Sequence, residues 1–381
     1  MVSKRARETA PFLAMDVLER ANAVDDAVHL ELGEPDIDPP ERAVEAAVDS
    51  LHAGGNGYTA TAGKPALRRA IADYYDRQYG VDVDPERVVV TPGSSPALLL
   101  ACLAVLDPGD EAVLTDPYYA PYPNFVRAAE ARTRTVGLSV EAGFAPPLSA
   151  VARTLEDGPA ALLLNSPANP TGAVLTDDDL AELTALADAA GTTVLSDEIY
   201  HGLDYDVEAH TLLEHTDEGF VVDGFSKRFG MTGWRLGWVI PPAEYVDPLV
   251  RMAQSYFLCA PAFVQDAGVA ALASTAHLEA VRETYRRRRD FLVDAVADWG
   301  LSLGYTPGGA YYLLVDAGPF PGDAMDAAER LLEETGVATT PGVDFGDATS
   351  DYLRLSYATG MDRLREADRR VSAYLDRVDF V

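Results

Sequence analysis

Short, almost continuously apolar segments recur between residues 87 and 240, and their alternation with helical stretches constrains the fold more than any other feature. Strands of this kind are typical of a parallel sheet whose two faces are both covered by helices. Strands that alternate with helices in the chain favour the same arrangement. The predicted strands are Arg87–Thr91, Glu111–Thr115, Ala161–Asn165, Thr192–Ser196, Phe220–Gly224 and Arg235–Ile240.

One of the intervening helices has recognisable signals at both ends. Thr176 stands where it can cap the helix N-terminus, Asp179 occupies the matching position of a capping box, and Gly191 follows the last turn. The sequence therefore predicts an α/β fold with a mainly parallel sheet flanked by helices.

After about residue 245 the pattern changes to longer helices and two further strands, Ala310–Asp316 and Tyr352–Ala358. A final helix is predicted from about Asp362 to Leu375. We expect a large α/β domain over residues 45–285. Residues 1–44 and 286–381 are expected to form a smaller α+β domain.

The chain is strongly acidic, with 61 Asp and Glu against 30 Lys and Arg and a net charge of −31. The acids are spread along the sequence, which indicates a solvated acidic surface that repels nucleic acid and anionic membranes. No apolar run has the length of a membrane span, and no apolar stretch follows the basic residues near the start. We therefore expect a cytoplasmic protein without a signal peptide, and we expect no metal site.

Lysine is almost absent, since only Lys4, Lys64 and Lys227 occur. An acidic, lysine-poor surface is typical of proteins that work in concentrated salt, where charge repulsion is screened, and this predicts a halophilic source. In such a composition a lysine within a Gly-rich segment, as Lys227 is, is hard to explain by solubility.

Candidate functional residues follow the predicted strands, where parallel α/β sheets bind ligands. Ser94 and Ser95 come between a strand and a helix that opens with Pro96. The free N–H groups and dipole of a helix N-terminus bind anions. An ordinary capping turn would explain the same residues equally well.

Aromatic and amide side chains follow the next two strands. Tyr118, Tyr119 and Tyr122 cluster after one strand and can cover a planar heterocycle or pack in the core. Asn165 and Asn169 lie in a Pro- and Gly-containing turn, where an amide can point into a cleft or only stabilise the turn.

Two later strand ends carry charged residues. Asp197, with Tyr200 three residues on, ends a strongly apolar strand and needs a cationic or donor partner. A protonated ring nitrogen or a structural arginine would serve. Lys227 precedes a Gly-rich segment that contains Arg235. The amine can form an imine with an aldehyde, and the guanidinium can clamp a phosphate.

The strand around Arg354 places that side chain on one face with Tyr352 and Ser356, while Leu353 and Leu355 share the other. If the leucines pack on the core, Arg354 points away from them. It then faces either a cleft or a surface acid.

Taken together and in this order, the motifs resemble the class I/II aminotransferases, fold-type I enzymes of the aspartate aminotransferase type that depend on pyridoxal phosphate. The resemblance runs from about Leu32 to Tyr357, and the ordered set is far more specific than any one motif. The motifs are GEPD, YTATAG-PALR, TPGSS-A, DPYY, NPTG, SDEIY, FSK-F-MTGWRLG and YLRLSYA.

The resemblance implies that pyridoxal 5'-phosphate forms a Schiff base with Lys227. Asp197 would pair with the pyridine nitrogen and keep it protonated, so that the ring accepts electrons. Tyr200 and Asn169 would hydrogen-bond the ring 3-hydroxyl oxygen, and Tyr119 would stack on the ring.

It further implies that Ser94, Ser95 and Arg235 hold the cofactor phosphate, with Ser226 also at the cofactor. Gly224 stands where many relatives have a serine that contacts this phosphate.

The resemblance also implies partners. Arg354, helped by Asn169 and the backbone of Gly33, would grip the α-carboxylate of the amino acid or 2-keto acid substrate. Tyr58 matches a tyrosine that reaches the phosphate of the neighbouring subunit, which implies a homodimer with shared sites.

Other functions are compatible with parts of this pattern. A carbon–sulfur β-lyase or a cyclising synthase would use the same cofactor residues, and family analogy ranks them below a transaminase. A non-enzymatic regulator would need a DNA-binding segment, and about thirty residues of an acidic chain precede GEPD. The ordered motifs argue against an unrelated α/β protein.

Overall fold

A computed structural model describes residues 2–377, with twelve strands and thirteen α-helices in that range. The strands are β1 Val28–His29, β2 Val89–Thr91, β3 Glu111–Asp116, β4 Arg132–Gly137, β5 Ala161–Asn165, β6 Thr193–Asp197, β7 Phe220–Gly224, β8 Gly237–Ile240, β9 Tyr312–Asp316, β10 Val337–Ala338, β11 Thr340–Pro341 and β12 Tyr352–Ser356. The helices are α1 Lys4–Glu8, α2 Leu13–Ala21, α3 Glu41–His52, α4 Pro65–Tyr79, α5 Ser94–Val105, α6 Tyr122–Ala128, α7 Leu148–Leu155, α8 Asp177–Ala190, α9 Val246–Tyr256, α10 Ala262–Leu272, α11 Thr275–Asp298, α12 Ala324–Thr335 and α13 Met361–Leu375.

The central sheet has seven strands in the order β2-β8-β7-β6-β5-β3-β4. The strands from β7 to β4 run parallel, and β8 is antiparallel to both of its neighbours. The mainly parallel α/β sheet predicted from the sequence is thus confirmed.

The apolar strands are continuous because both faces of the sheet are buried. In β5, Leu162 and Leu164 pack into one hydrophobic cluster, while Ala161 and Leu163 pack into another on the opposite face. Every second residue therefore serves a different layer of helices.

The edge strand β4 was not predicted. Its sequence RTRTVG is polar, and four of its six residues are exposed, because β4 has only one neighbouring strand. An edge strand of this kind lacks the apolar run by which the central strands are recognised.

The capping signals of α8 act as predicted. The Thr176 hydroxyl accepts from the backbone N–H of Asp179, the Asp179 carboxylate accepts from the backbone N–H of Thr176, and Gly191 ends the helix with φ of +66°. Helix α8 therefore starts and stops where its sequence indicates.

The remaining strands form two small sheets that combine β1 from the N-terminal segment with strands from the C-terminal part. Strand β12 is antiparallel to both β9 and β11, while β1 pairs with β10 in parallel. One hydrophobic cluster joins Val28 and Leu30 to the C-terminal helices and strands. The division at residues 45 and 285 stays a prediction, and α11 continues through the second of these positions. Within residues 2–377, no helix has both the length and the apolar character to cross a membrane.

Candidate active site

A cavity of about 240 Å³ opens at the carboxyl ends of the parallel strands. Ligands bind at this edge in sheets of this type because the turns after the strands converge there. All of the predicted site residues except Tyr58 line it, namely Gly33, Ser94, Ser95, Tyr119, Asn169, Asp197, Tyr200, Ser226, Lys227, Arg235 and Arg354.

One end of the cavity is an anion cradle at the N-terminus of α5. Ser94 and Ser95 form the first turn of this helix, so their backbone N–H groups have no partner within it. Arg235 lies over Gly93, where a Cβ would come within 2.3 Å of its guanidinium. Arg235 itself adopts a left-handed conformation, with φ of +53°, which is rare for a side chain of its size. Helix dipole and guanidinium both favour an anion at this end.

Strand packing explains the glycine at position 224. A Cβ there would lie 3.0 Å from the carbonyl oxygen of Leu236 and 3.1 Å from the Cα of Gly237 on the neighbouring strand. The close approach of β7 and β8 thus favours a residue without a side chain.

Asp197 ends β6 and is 3% exposed. Its Oδ2 accepts a hydrogen bond of 2.6 Å from the Tyr122 hydroxyl, and its Oδ1 accepts from the backbone N–H of Ile199. Burial raises the pKa of this carboxyl to about 6, although the Tyr122 hydrogen bond and the charge of Lys227 oppose the rise. Asp197 is therefore a buried carboxyl group that a cation in the cavity would hold ionised.

Lys227 follows β7 and reaches into the cavity. Its Nζ donates to the carbonyl oxygen of Gly33 over 2.9 Å, and the Tyr311 hydroxyl donates to the same oxygen. A Cβ at position 33 would lie 1.7 Å from the Tyr312 hydroxyl, so only glycine lets the backbone pass this close to the Tyr312 side chain. The amine is thus held by one backbone acceptor, from which it can be released.

Arg354 is 1% exposed, and its guanidinium lies between the rings of Tyr312 and Phe345, 4.4 and 4.5 Å from their centres. Its Nη1 donates to Asn169 Oδ1 over 2.9 Å, and its Nη2 donates to the backbone carbonyl of Glu31. The strand pattern left two placements open for the Arg354 side chain, a cleft or a surface ion pair. In the structure the side chain lies in the cleft. The rings and the carbonyl fix the plane of a fork that can bind a carboxylate.

Tyrosines line the cavity between these groups. The hydroxyls of Tyr200 and Tyr312 are 3.0 Å apart, and Tyr119 meets both Tyr122 and Phe12 edge to face. Burial raises the pKa of Tyr119 and of Tyr200, so both hydroxyls remain protonated donors.

Tyr58 is not brought to the cavity of its own chain. It exposes 86% of its surface, the largest fraction among the exposed large hydrophobic residues of the described range 2–377. Its predicted contact is with a neighbouring subunit, so its place in the single chain leaves that role a prediction.

Several cavity residues were missed from the sequence. Tyr122 and Asn165 were named as part of local clusters but not as site residues, although Tyr122 binds Asp197 directly. Tyr312 lies in a buried strand, where an aromatic residue is indistinguishable from core packing. Phe12 and Leu32 come from the N-terminal segment, and no pattern in the sequence marks them.

Comparisons with known proteins agree with this geometry. Residues 25–370 match the family described as aminotransferase class I and II. An aspartate/prephenate aminotransferase of Thermus thermophilus is 41% identical over 360 residues, which are 92% of each chain. An arginine–pyruvate transaminase of Pseudomonas aeruginosa is 37% identical over 93% of this chain and 91% of the relative. The solved structure of the aspartate aminotransferase from Thermus thermophilus with maleate has a TM-score of 0.94 at 38% identity, covering 98% of this chain and 99% of that one. The chain therefore belongs to the class I and II aminotransferases and is an aminotransferase that depends on pyridoxal phosphate.

Proposed function

We propose that this chain moves an amino group between an L-amino acid and a 2-keto acid, with Lys227 as the reacting amine. One observation carries the proposal: the Lys227 amine, the Asp197 carboxyl and the Arg354 guanidinium line a single cavity. The anion cradle at the N-terminus of α5 lies in the same cavity.

The residues present fit pyridoxal phosphate. Ser94, Ser95 and Arg235 would hold its phosphate, Asp197 would pair with its ring nitrogen, and Ser226 would lie beside it. Tyr119 would stack on the ring, and Tyr200 and Asn169 would hydrogen-bond its 3-hydroxyl oxygen. When bound, this cofactor supplies an aldehyde for the imine and a ring that accepts electrons.

Arg354 would bind the substrate carboxylate, with Asn169 and the backbone of Gly33 beside it. Its guanidinium has a fixed plane because two rings, the amide of Asn169 and the carbonyl of Glu31 hold it. A carboxylate bound by this fork would hold its α-carbon in the cavity that Lys227 also lines.

Lys227 would act twice, first as a nucleophile and then as an acid and base. Once free, its Nζ would take the proton from the substrate α-carbon and deliver it to the carbon that the cofactor aldehyde supplied. With the 2-keto acid, Nζ would carry a proton in the opposite direction, to the α-carbon of the new amino acid. The Gly33 carbonyl, which accepts from Nζ over 2.9 Å, offers the amine a resting position between these steps.

We also propose a homodimer in which Tyr58 reaches the phosphate of the partner's site. Its 86% exposure, with partly exposed Val44, Val48 and Leu51 on α3, supports an interface on this side. Light scattering should give twice the monomer mass, and Tyr58→Phe should release cofactor faster than the wild type.

A cytoplasmic location and a salt-rich environment remain proposals that rest on composition. The excess of 61 acids over 30 basic residues predicts that salt stabilises the fold by screening repulsion. The melting temperature should therefore rise with potassium chloride concentration, and an unchanged value would argue against a halophilic source.

The amino donor is best identified by a panel of amino acids with 2-oxoglutarate as acceptor. Formation of glutamate together with the matching 2-keto acid is the expected result. Release of ammonia and pyruvate without any acceptor would instead identify a β-lyase.

A further inference from the structure

Arg228, the residue after Lys227, points away from the cavity into a buried cluster. It is 3% exposed, and its Nη2 donates to Asp223 Oδ2 over 3.0 Å. Its Nη1 donates to the Tyr74 hydroxyl over 2.7 Å and to the backbone carbonyl of His201 over 2.6 Å. No part of Arg228 lines the cavity in which Lys227 lies.

These contacts join the two turns that carry site residues. Asp223 belongs to β7, which leads into the Lys227 turn, while His201 directly follows Tyr200 in the turn after β6. The Lys227 amine lies 5.7 Å from the centre of the Tyr200 ring. The Arg228 guanidinium is thus a direct link, behind the cavity wall, between the segments of Lys227 and Tyr200.

The surrounding backbone leaves room for this side chain. Gly202 has φ of +78°, and a Cβ there would lie 3.1 Å from Arg228 Cδ. On another side, the guanidinium carbon lies 4.6 Å from the centre of the Tyr74 ring. A glycine on one side and an aromatic ring on the other confine the guanidinium to one position.

The charge of Arg228 is balanced by Asp223. Burial raises the pKa of Asp223 to about 7, and the adjacent Arg228 opposes that rise. Removing Arg228 alone would leave a buried carboxyl without its partner and would destabilise the fold. A variant that neutralises both residues avoids this cost.

We propose that Arg228 is a positioning residue for transamination: it fixes Lys227 relative to Tyr200 and contacts neither substrate nor cofactor. The inference rests on the proposed role of Lys227. Without this link, the Lys227 turn shifts against the Tyr200 turn, and steps that use the amine become slower. Substrate binding depends on Arg354, which has no contact with Arg228, and should change little.

The test compares the wild type with Asp223→Asn/Arg228→Met and with Arg228→Lys. We expect the double variant to lower kcat roughly tenfold, because a misplaced reacting group slows chemistry, while KM stays within about twofold. The rate at which cofactor-free protein forms its imine with added pyridoxal phosphate, followed by absorbance, should fall to a similar extent. Arg228→Lys keeps the charge but cannot bridge both turns. Its kcat and its rate of imine formation should lie between those of the wild type and those of the double variant.

Arg289 provides a matched control. It is a 4% exposed arginine paired with Asp206 and Asp290, and it meets the segment after β6 at Tyr205 and Asp206, beyond the Tyr200 turn, rather than at His201. Arg289→Met should lower the melting temperature but leave kcat and the rate of imine formation unchanged.

Wild-type kcat and imine formation in the double variant would overturn the inference. If that variant does not fold, Arg228→Lys decides in its place: an unchanged kcat refutes the link, and a reduced kcat with an unchanged KM supports it. The wild type is tested first for transamination and for labelling of Lys227, so failure of the proposed function is recognised separately.

Discussion

The two sides of the wall formed by β6 and β7 carry the same kinds of charged group in opposite surroundings. Asp197 and Lys227 face the cavity, whereas their next neighbours in sequence, Glu198 and Arg228, face a buried cluster behind it. Asp197 ends β6 and Glu198 follows it, so alternation along the strand sends their side chains to opposite sides. Lys227 and Arg228 diverge in the same way in the turn after β7.

The number of protein partners separates the two carboxyl groups. Asp197 accepts from one side chain, Tyr122, and one backbone N–H. Glu198 accepts from the hydroxyls of Ser196 and Thr211 and from the backbone N–H of Leu212. Burial raises the pKa of Asp197 to about 6 and that of Glu198 to about 8. Asp197, on the cavity side, can therefore still pair with a cationic group of a ligand. Glu198, on the far side, already accepts hydrogen bonds from protein donors on both of its oxygens.

Lys227→Ala should have the largest effect on the cavity side. It removes both the nucleophile and the proton carrier, so turnover should fall roughly 10⁴-fold or more. In the wild type, borohydride should fix the cofactor to Lys227, and peptide mapping is simple because only two other lysines, Lys4 and Lys64, compete. Lys64→Ala is the control and should keep the label. A label on Lys64, or none at all, would refute the assignment.

Asp197→Ala should keep the cofactor bound but slow α-proton removal by roughly 10²-fold or more, since a carboxylate stabilises the protonated ring nitrogen in a low-dielectric site. Asp197→Asn should be nearly as poor because an amide carries no charge. Stopped-flow absorbance measures this step. Glu198→Gln, on the far side, should slow the same step by less than about tenfold. Near-normal turnover in Asp197→Ala would show that Asp197 does not stabilise the ring nitrogen, and the contrast between the two sides of the wall would then be wrong.

Arg354→Lys should raise KM for amino acid and keto acid alike and lower kcat/KM by roughly 10- to 100-fold, while cofactor affinity changes little. Lysine keeps the charge but not the planar fork, so both binding and alignment suffer. Steady-state kinetics on several substrates measures the change. Wild-type kinetics on every substrate, or impairment only with amines that lack a carboxylate, would contradict the role.

Much of the cavity side could be predicted from sequence because its residues follow recognisable strands. Asp197 and Lys227 each come after an apolar run, and Ser94 begins a helix, so the edge of the sheet brings them together. Arg354 was assigned to one strand face by alternation, and its fork lies in the cavity.

The far side could not be predicted in the same way. The pairing of Arg228 with Asp223 and the His201 carbonyl depends on how two turns approach, which no periodicity records. Phe12 reaches the cavity because its backbone neighbours Leu13 and Ala14 donate to Asp344, far away in the chain. Contacts set by tertiary approach, rather than by position along a strand, leave no local pattern to read.

Glu198→Gln should change the pH dependence of stability more than it changes turnover, and it gives the smallest effect on chemistry. In the folded protein Glu198 keeps its proton up to about pH 8, whereas its ordinary pKa of 4.5 applies after unfolding. Between these values the folded state binds more protons, so the stability that Glu198 contributes is full below pH 4.5 and is lost as the pH rises through 8.

Glutamine does not titrate, so the variant should lose less stability than the wild type between pH 6 and pH 9. One pKa unit corresponds to about 1.4 kcal/mol, and the melting temperature should therefore decline by roughly 2–4 °C less over this range. Melting curves across the range measure the difference, with the exposed Glu182→Gln as control. Asp197 and Asp223 also have a raised pKa, so the melting temperature of the variant should still fall to some extent as the pH rises. Equal slopes in the wild type and Glu198→Gln would show that Glu198 is already ionised in the folded protein, and the contrast in protonation between the two sides of the wall would then be wrong.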